Sequence, residues 1–143
     1  MNRIALLVGF AALMTLQAMA QSRAVTHIDS DKVATALAKG SSLVATKDFT
    51  IAGSHRSGPG QVEVHDHETD IFYVTDGEAT LVTGGTMVGG KESAPGQHRG
   101  TDIRGGQTQK LKKGDVVTIP AGVPHWFKEV SPMISYLTIK VIK

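Results

Sequence analysis

His65, His67 and Asp70 fall in one short stretch, Val64–Asp70, which reads Val-His-Asp-His-Glu-Thr-Asp. A second stretch, Gly114–His125, reads Gly-Asp-Val-Val-Thr-Ile-Pro-Ala-Gly-Val-Pro-His and ends in another histidine. Three neutral imidazole nitrogens and one carboxylate oxygen make a good set of ligands for a divalent transition metal. The expected ligands are therefore His65, His67, Asp70 and His125, with Glu68 as the alternative carboxylate. Iron, manganese, nickel, zinc and copper all suit such a nitrogen and oxygen set.

Strands are the elements that must aim these groups. Alternate side chains of a strand share a face, so His65 and His67 point the same way, and Asp66 and Glu68 point away. Asp70 has the wrong parity for a straight continuation from His67. A turn at Glu68–Thr69 must reset the alternation, after which Asp70, Phe72 and Val74 face inward. In the second stretch, Gly114-Asp115 is a tight turn into a strand, and Pro120 and Gly122 shape the bend that returns the chain at His125. Parity then puts His125, Phe127 and Glu129 inside and Trp126 outside. Glu129 becomes the candidate general base or hydrogen-bond acceptor below His125; its alternative is a solvated carboxylate at a strand end.

The rest of the chain is consistent with an all-β architecture. Ser30 reads as an N-cap and Gly40 as the stop of one short helix, roughly residues 31–39. From Ser42 onward, short β-branched runs alternate with Gly, Pro and Asp: Leu43–Thr46, Phe49–Ser54, Gln61–His65, Ile71–Thr75, Ala79–Thr83, Gln107–Leu111, Val116–Ile119, Trp126–Val130 and Ile134–Val141. Asp76-Gly77 is a hairpin signal. Residues 84–106 break the rhythm with repeated glycines and carry His98 and Arg99. A loop this long is usually functional or mobile, and it could cover a pocket mouth as a lid.

The N-terminal end has a different character. Met1-Asn-Arg3, the apolar run Ile4–Leu16 and Ala18-Met-Ala20 follow the order of a secretory signal peptide cleaved after Ala20. Residues 21–143 then form a single domain, soluble outside the cytoplasm, secreted or periplasmic, with no membrane contact once the signal is removed. Losing Arg3 from 15 basic residues leaves 14 against 13 acidic ones, a net charge of about +1. That balance gives no sign of a nucleic-acid partner. The chain has no cysteine, so stability comes from the core, a metal or a partner subunit rather than disulfides.

At its two histidine stretches the chain resembles the cupins. Their first motif runs glycine, five residues, His-x-His, three or four residues, Glu, six residues, glycine. Here His65-x-His67 is followed after two residues by Asp70, then six residues to Gly77; Gly60 stands one residue too close, and Asp replaces Glu. The second motif runs glycine, five residues, Pro-x-Gly, two residues, His, three residues, Asn. Gly114, Pro120, Gly122 and His125 match every spacing, and Glu129 replaces the asparagine. The resemblance implies a double-stranded β-helix, or jelly-roll barrel, that binds a divalent metal and a small-molecule ligand or substrate, and a possible homodimer. It also implies three functional alternatives. One is a metal-dependent enzyme, such as a dioxygenase, lyase or isomerase, acting on a small oxygen-rich chelating substrate. The others are a non-catalytic barrel holding a ligand or the metal, and a structural barrel with a vestigial site.

Overall fold

The computed structural model describes residues 25–143. The expected signal peptide, residues 1–20, lies outside them. The one helix among the described residues, α1 (Ser30–Lys39), is capped by Asp29 rather than Ser30: the Asp29 carboxylate accepts from the Lys32 N–H at 2.9 Å. Gly40 ends it with φ 68°, its N–H donating to the Ala36 carbonyl at 2.9 Å. The helix packs on the strands at Gly53, where a Cβ would stand 2.3 Å from the Ala36 carbonyl carbon.

The strands are β1 (Ser42–Ala45), β2 (Phe49–Arg56), β3 (Val62–His65), β4 (Glu68–Thr83), β5 (Thr86–Val88), β6 (Lys91–Ala94), β7 (Gln97–Gly100), β8 (Asp102–Arg104), β9 (Gln107–Lys112), β10 (Val116–Ile119) and β11 (His125–Ile142). Two of them are longer than the sequence runs suggest. Asp76-Gly77, expected to turn a hairpin, lies inside β4. Gly77 has φ 76°, and a Cβ on it would stand 2.0 Å from the Met133 carbonyl oxygen. Its glycine serves a bend that β4 shares with β11, whose pairing slips in register between Val130 and Ile134. A glycine that makes a bulge and one that makes a turn carry the same signal in a sequence.

That bend builds the barrel. On one side of it, the first half of β4 pairs the last half of β11, with β2 and β1 beside β11 and β10 beside β4. On the other side, the second half of β4 pairs the start of β11, with β3, β7 and β6 beyond β11 and β9 beyond β4. The two halves enclose Phe72, Val74, Leu81, Phe127, Ile134 and Tyr136, all buried. The alternation expected for Asp70, Phe72 and Val74 holds, and Tyr73 lies outside, 45% exposed.

Residues 84–106 are not an irregular loop. They fold into the pairs β5–β8 and β6–β7, with Gly96 (φ 69°) turning β6 into β7. β7 then pairs β3 from Val62↔Gly100 to His65↔Gln97, which lays this segment along the first histidine strand.

Candidate metal centre

Glu63 and His65 are alternate residues of β3 and share a face. His125 opens β11 directly across from Glu63. Asp70 arrives on β4, paired on one side with Lys140 and on the other with Ile119. The side chains of His65, Asp70 and His125 are nearly sealed from solvent, 4%, 3% and 4% exposed.

Four atoms close a ring. His65 Nε2 lies 3.5 Å from Glu63 Oε2 and 3.4 Å from Asp70 Oδ2; His125 Nε2 lies 3.7 Å and 3.5 Å from the same two oxygens. Glu63, His65 and His125 each offer an atom within 4.8 Å of the other two, and so do His65, Glu68 and Asp70, spacings at which a divalent ion can be held.

The imidazoles are also turned for it. His65 Nδ1 is hydrogen-bonded to Gln97 Oε1, and His125 Nδ1 donates to the Val123 carbonyl at 3.1 Å. Each bond places a proton on Nδ1 and leaves the Nε2 lone pair facing the ring, as in metal-bound histidines. Both Nε2 atoms are buried without a hydrogen-bond partner among the described residues. Burying an unpaired polar atom costs about 1–3 kcal/mol. A bound cation removes that cost for both at once.

The charges around the ring reinforce its shape. Burial opposes ionisation of Glu63, but His125 and His65, with Arg99 beyond them, hold its carboxyl well below the ordinary range. Burial likewise opposes the charged form of Asp70, and His65 and Lys140 outweigh it and lower its pKa. At His65 burial disfavours the imidazolium, yet Asp70 and Glu63 raise its pKa to about 9. Without an ion, a proton on His65 holds the two carboxylates together. Lys140 Nζ binds the outer oxygen of Asp70 at 2.7 Å and Glu68 Oε2 at 2.9 Å. Glu68 stands 3.8 Å from His65 Nδ1, on the ring edge that Gln97 occupies, so Asp70 rather than Glu68 completes the four-atom ring.

Two expected residues stand elsewhere. His67 is exposed, because β3 ends at His65 and the chain bends through Asp66 and His67 before β4 begins. The reset of parity comes at that bend, not at Glu68–Thr69. Glu129 is on the outer surface, its side chain 65% exposed, where its Oε2 accepts from Thr80 Oγ1 at 2.8 Å and pairs with Lys110 at 3.4 Å. A register slip between Phe127 and Glu129 flips the alternation after Phe127. His98 pairs with Asp66 at the surface, 3.0 Å apart, and Arg99 lies 3.8 Å from the outer oxygen of Glu63.

Glu63 and Gln97 were not foreseen. Gln97 left no local signal, since strand pairing brings it to His65. Glu63 did leave one. With Glu63 and His65 in the His-x-His positions, four residues separate His65 from Asp70 and six separate Asp70 from Gly77, which restores the family spacing.

A cavity of about 160 Å³ opens on the ring, with Glu63, Asp70 and His125 in its wall and Phe72, Phe127 and Tyr136 beneath. A hollow of about 300 Å³ around Lys110 and Glu129 shares no residue with it.

A family model described as Cupin matches residues 55–141, more than half of the chain. Comparison with curated proteins finds no match. Among solved structures, an uncharacterised conserved protein with a double-stranded β-helix domain from Klebsiella pneumoniae is 19% identical, with a TM-score of 0.54 over 82% of this chain and 91% of that one. A protein from Neisseria meningitidis is 12% identical, with a TM-score of 0.51 over 76% and 95%. A DMSP lyase from Ruegeria pomeroyi is 17% identical, with a TM-score of 0.47 over 67% of this chain, which spans only 39% of that enzyme. The Klebsiella and Neisseria proteins share the fold, and the family match, with the barrel built on the bent strands β4 and β11, shows that the chain belongs to the cupin family.

Proposed function

We propose that this chain is an exported cupin that holds a divalent transition metal on Glu63, His65, Asp70 and His125 and acts as a metal-dependent enzyme on a small oxygen-rich substrate. The carrying observation is the pair of buried, partnerless Nε2 atoms facing each other across two carboxylate oxygens. Structural histidines in a core are hydrogen-bonded; these two are oriented by their other nitrogen and left open on this one.

When bound, the metal supplies Lewis acidity to substrate oxygens. The chain supplies the rest. His65 and His125 are held in one tautomer by Gln97 and Val123. Phe72 and Phe127 keep the floor of the cavity apolar, which strengthens polar contacts made within it. Tyr136 lines the cavity as a neutral phenol: burial raises its pKa, and Arg56 Nε donates to its oxygen at 2.9 Å. Glu129 has no part in this chemistry, since it lies outside the barrel. Export rests on the signal-peptide pattern of residues 1–20.

Elemental analysis of the protein purified without a histidine tag tests the reading. Near-stoichiometric metal in the wild type and none in a His65→Ala/His125→Ala double variant is expected. A wild type that stays metal-free after incubation with iron, manganese, nickel, zinc and copper would sink it, and leave a ligand-binding or structural barrel.

A further inference from the structure

We infer that the substrate carries a carboxylate and that Arg56 receives it; this rests on the metal-binding reading above. Arg56 lines the 160 Å³ cavity beside the ring, as does Lys140, whose ammonium is already held by Asp70 and Glu68. Arg56 ends β2, and its guanidinium carbon lies 4.9 Å over the Phe127 ring. One guanidinium nitrogen faces the outer oxygen of Glu63 at 3.7 Å, and Nε is committed to Tyr136. Nη1 has no hydrogen-bond acceptor among the described residues, and beside it lies Gly60, where a Cβ would approach it to 2.8 Å. The glycine leaves room for this end of the fork.

Charge counting gives the sign of the ligand. Glu63, Glu68 and Asp70 balance Arg56, Arg99 and Lys140 in a cluster linked through His65 by contacts of 2.7–3.8 Å. These are side chains that are at most about a third exposed. With the ion bound and His65 neutral, the ion's two positive charges stand uncompensated in this poorly solvated site. Unpaired buried charge is costly, so the loaded site favours an anion. Arginine presents a planar fork that matches a carboxylate. A cavity of about 150 Å³ holds a molecule the size of benzene, so the substrate has on the order of six non-hydrogen atoms inside it. A short hydroxy or oxo acid meets all three conditions: small, oxygen-rich and anionic.

Lactate and lactamide have the same shape and differ in charge, and they serve as probes. Calorimetric titration of zinc-loaded protein, with zinc content measured in each sample, is expected to show lactate binding at least tenfold tighter than lactamide. Arg56→Gln is expected to weaken lactate at least tenfold, with lactamide and zinc content unchanged. Arg56→Lys keeps the stem over Phe127 and is used if the glutamine variant does not fold; it is expected to weaken lactate about threefold or more, because an ammonium lacks the fork. Zinc-loaded wild type that does not prefer lactate, or an Arg56 variant that binds lactate like the wild type, overturns the proposal. Absence of zinc from the wild type instead overturns the metal reading, and this inference with it.

Discussion

His65 and His125 turn their Nε2 atoms to the same ring but are held in different ways. His125 is oriented by the Val123 carbonyl two residues before it, inside its own bend. His65 is oriented by the side chain of Gln97, 32 residues away, which reaches it only because β7 pairs with β3. One imidazole depends on local backbone geometry and the other on strand pairing. The local arrangement can be read from glycine and proline spacing; the distant one cannot. The two also differ in how they can be broken, since a side chain can be removed by substitution and a backbone carbonyl cannot.

The largest effect would come from the ring itself. His65→Ala and His125→Ala should each lower metal affinity more than 100-fold, measured by competition with a chelator, while His67→Ala should leave it unchanged. If His67→Ala costs as much as the other two, the bend after His65 is wrongly placed. Loss of an outer partner of a metal-bound histidine typically costs about 10–100-fold in affinity. Gln97→Leu should therefore weaken metal binding by that factor. Val123→Ala, which keeps its carbonyl, should not. Equal effects from these two would erase the contrast between the two histidines.

A smaller, pH-dependent effect separates the metal-free and loaded states. In the metal-free protein the His65 pKa is raised from 6.5 to about 9. The folded state then holds this proton more tightly than the unfolded chain does. The stability so gained is full below about pH 6.5 and is lost as pH rises through about 9. Thermal midpoints in chelator should fall over that window, and those of the zinc-loaded protein should not show this fall, because the ion replaces the proton. Parallel profiles would mean that no ion sits at His65. The smallest effect is expected at Glu129. Its carboxylate is exposed, so Glu129→Ala should change stability by less than about 0.5 kcal/mol in denaturant titrations and leave metal content untouched.

Much of the barrel was legible in the sequence. The segment Gly114–His125 fixes its own turn and bend through Gly114, Pro120 and Gly122, and the strand from Asp70 to Val74 keeps strict alternation. What failed was alternation carried across irregularities. It predicted that His67 and Glu129 face inward, and a bend after His65 and a register slip after Phe127 reverse both. Gly77 was misread for a related reason: its close approach to Met133 needs a contact from a distant strand. The glycine-rich segment read as a loop because its strands are only three or four residues each, too short for periodicity to register. Its most useful residue, Gln97, is an ordinary polar residue until pairing brings it to His65.

In the proposed centre two imidazoles and two carboxylates hold the metal, with Glu63 in place of a third histidine. X-ray absorption at the metal edge of the zinc-loaded protein tests it most directly, because the scattering from imidazole rings can be counted. Two imidazoles and oxygen ligands are expected, with oxygen scattering reduced in Glu63→Ala and no change in His67→Ala. Three imidazoles in the wild type, reduced to two by His67→Ala, would contradict it.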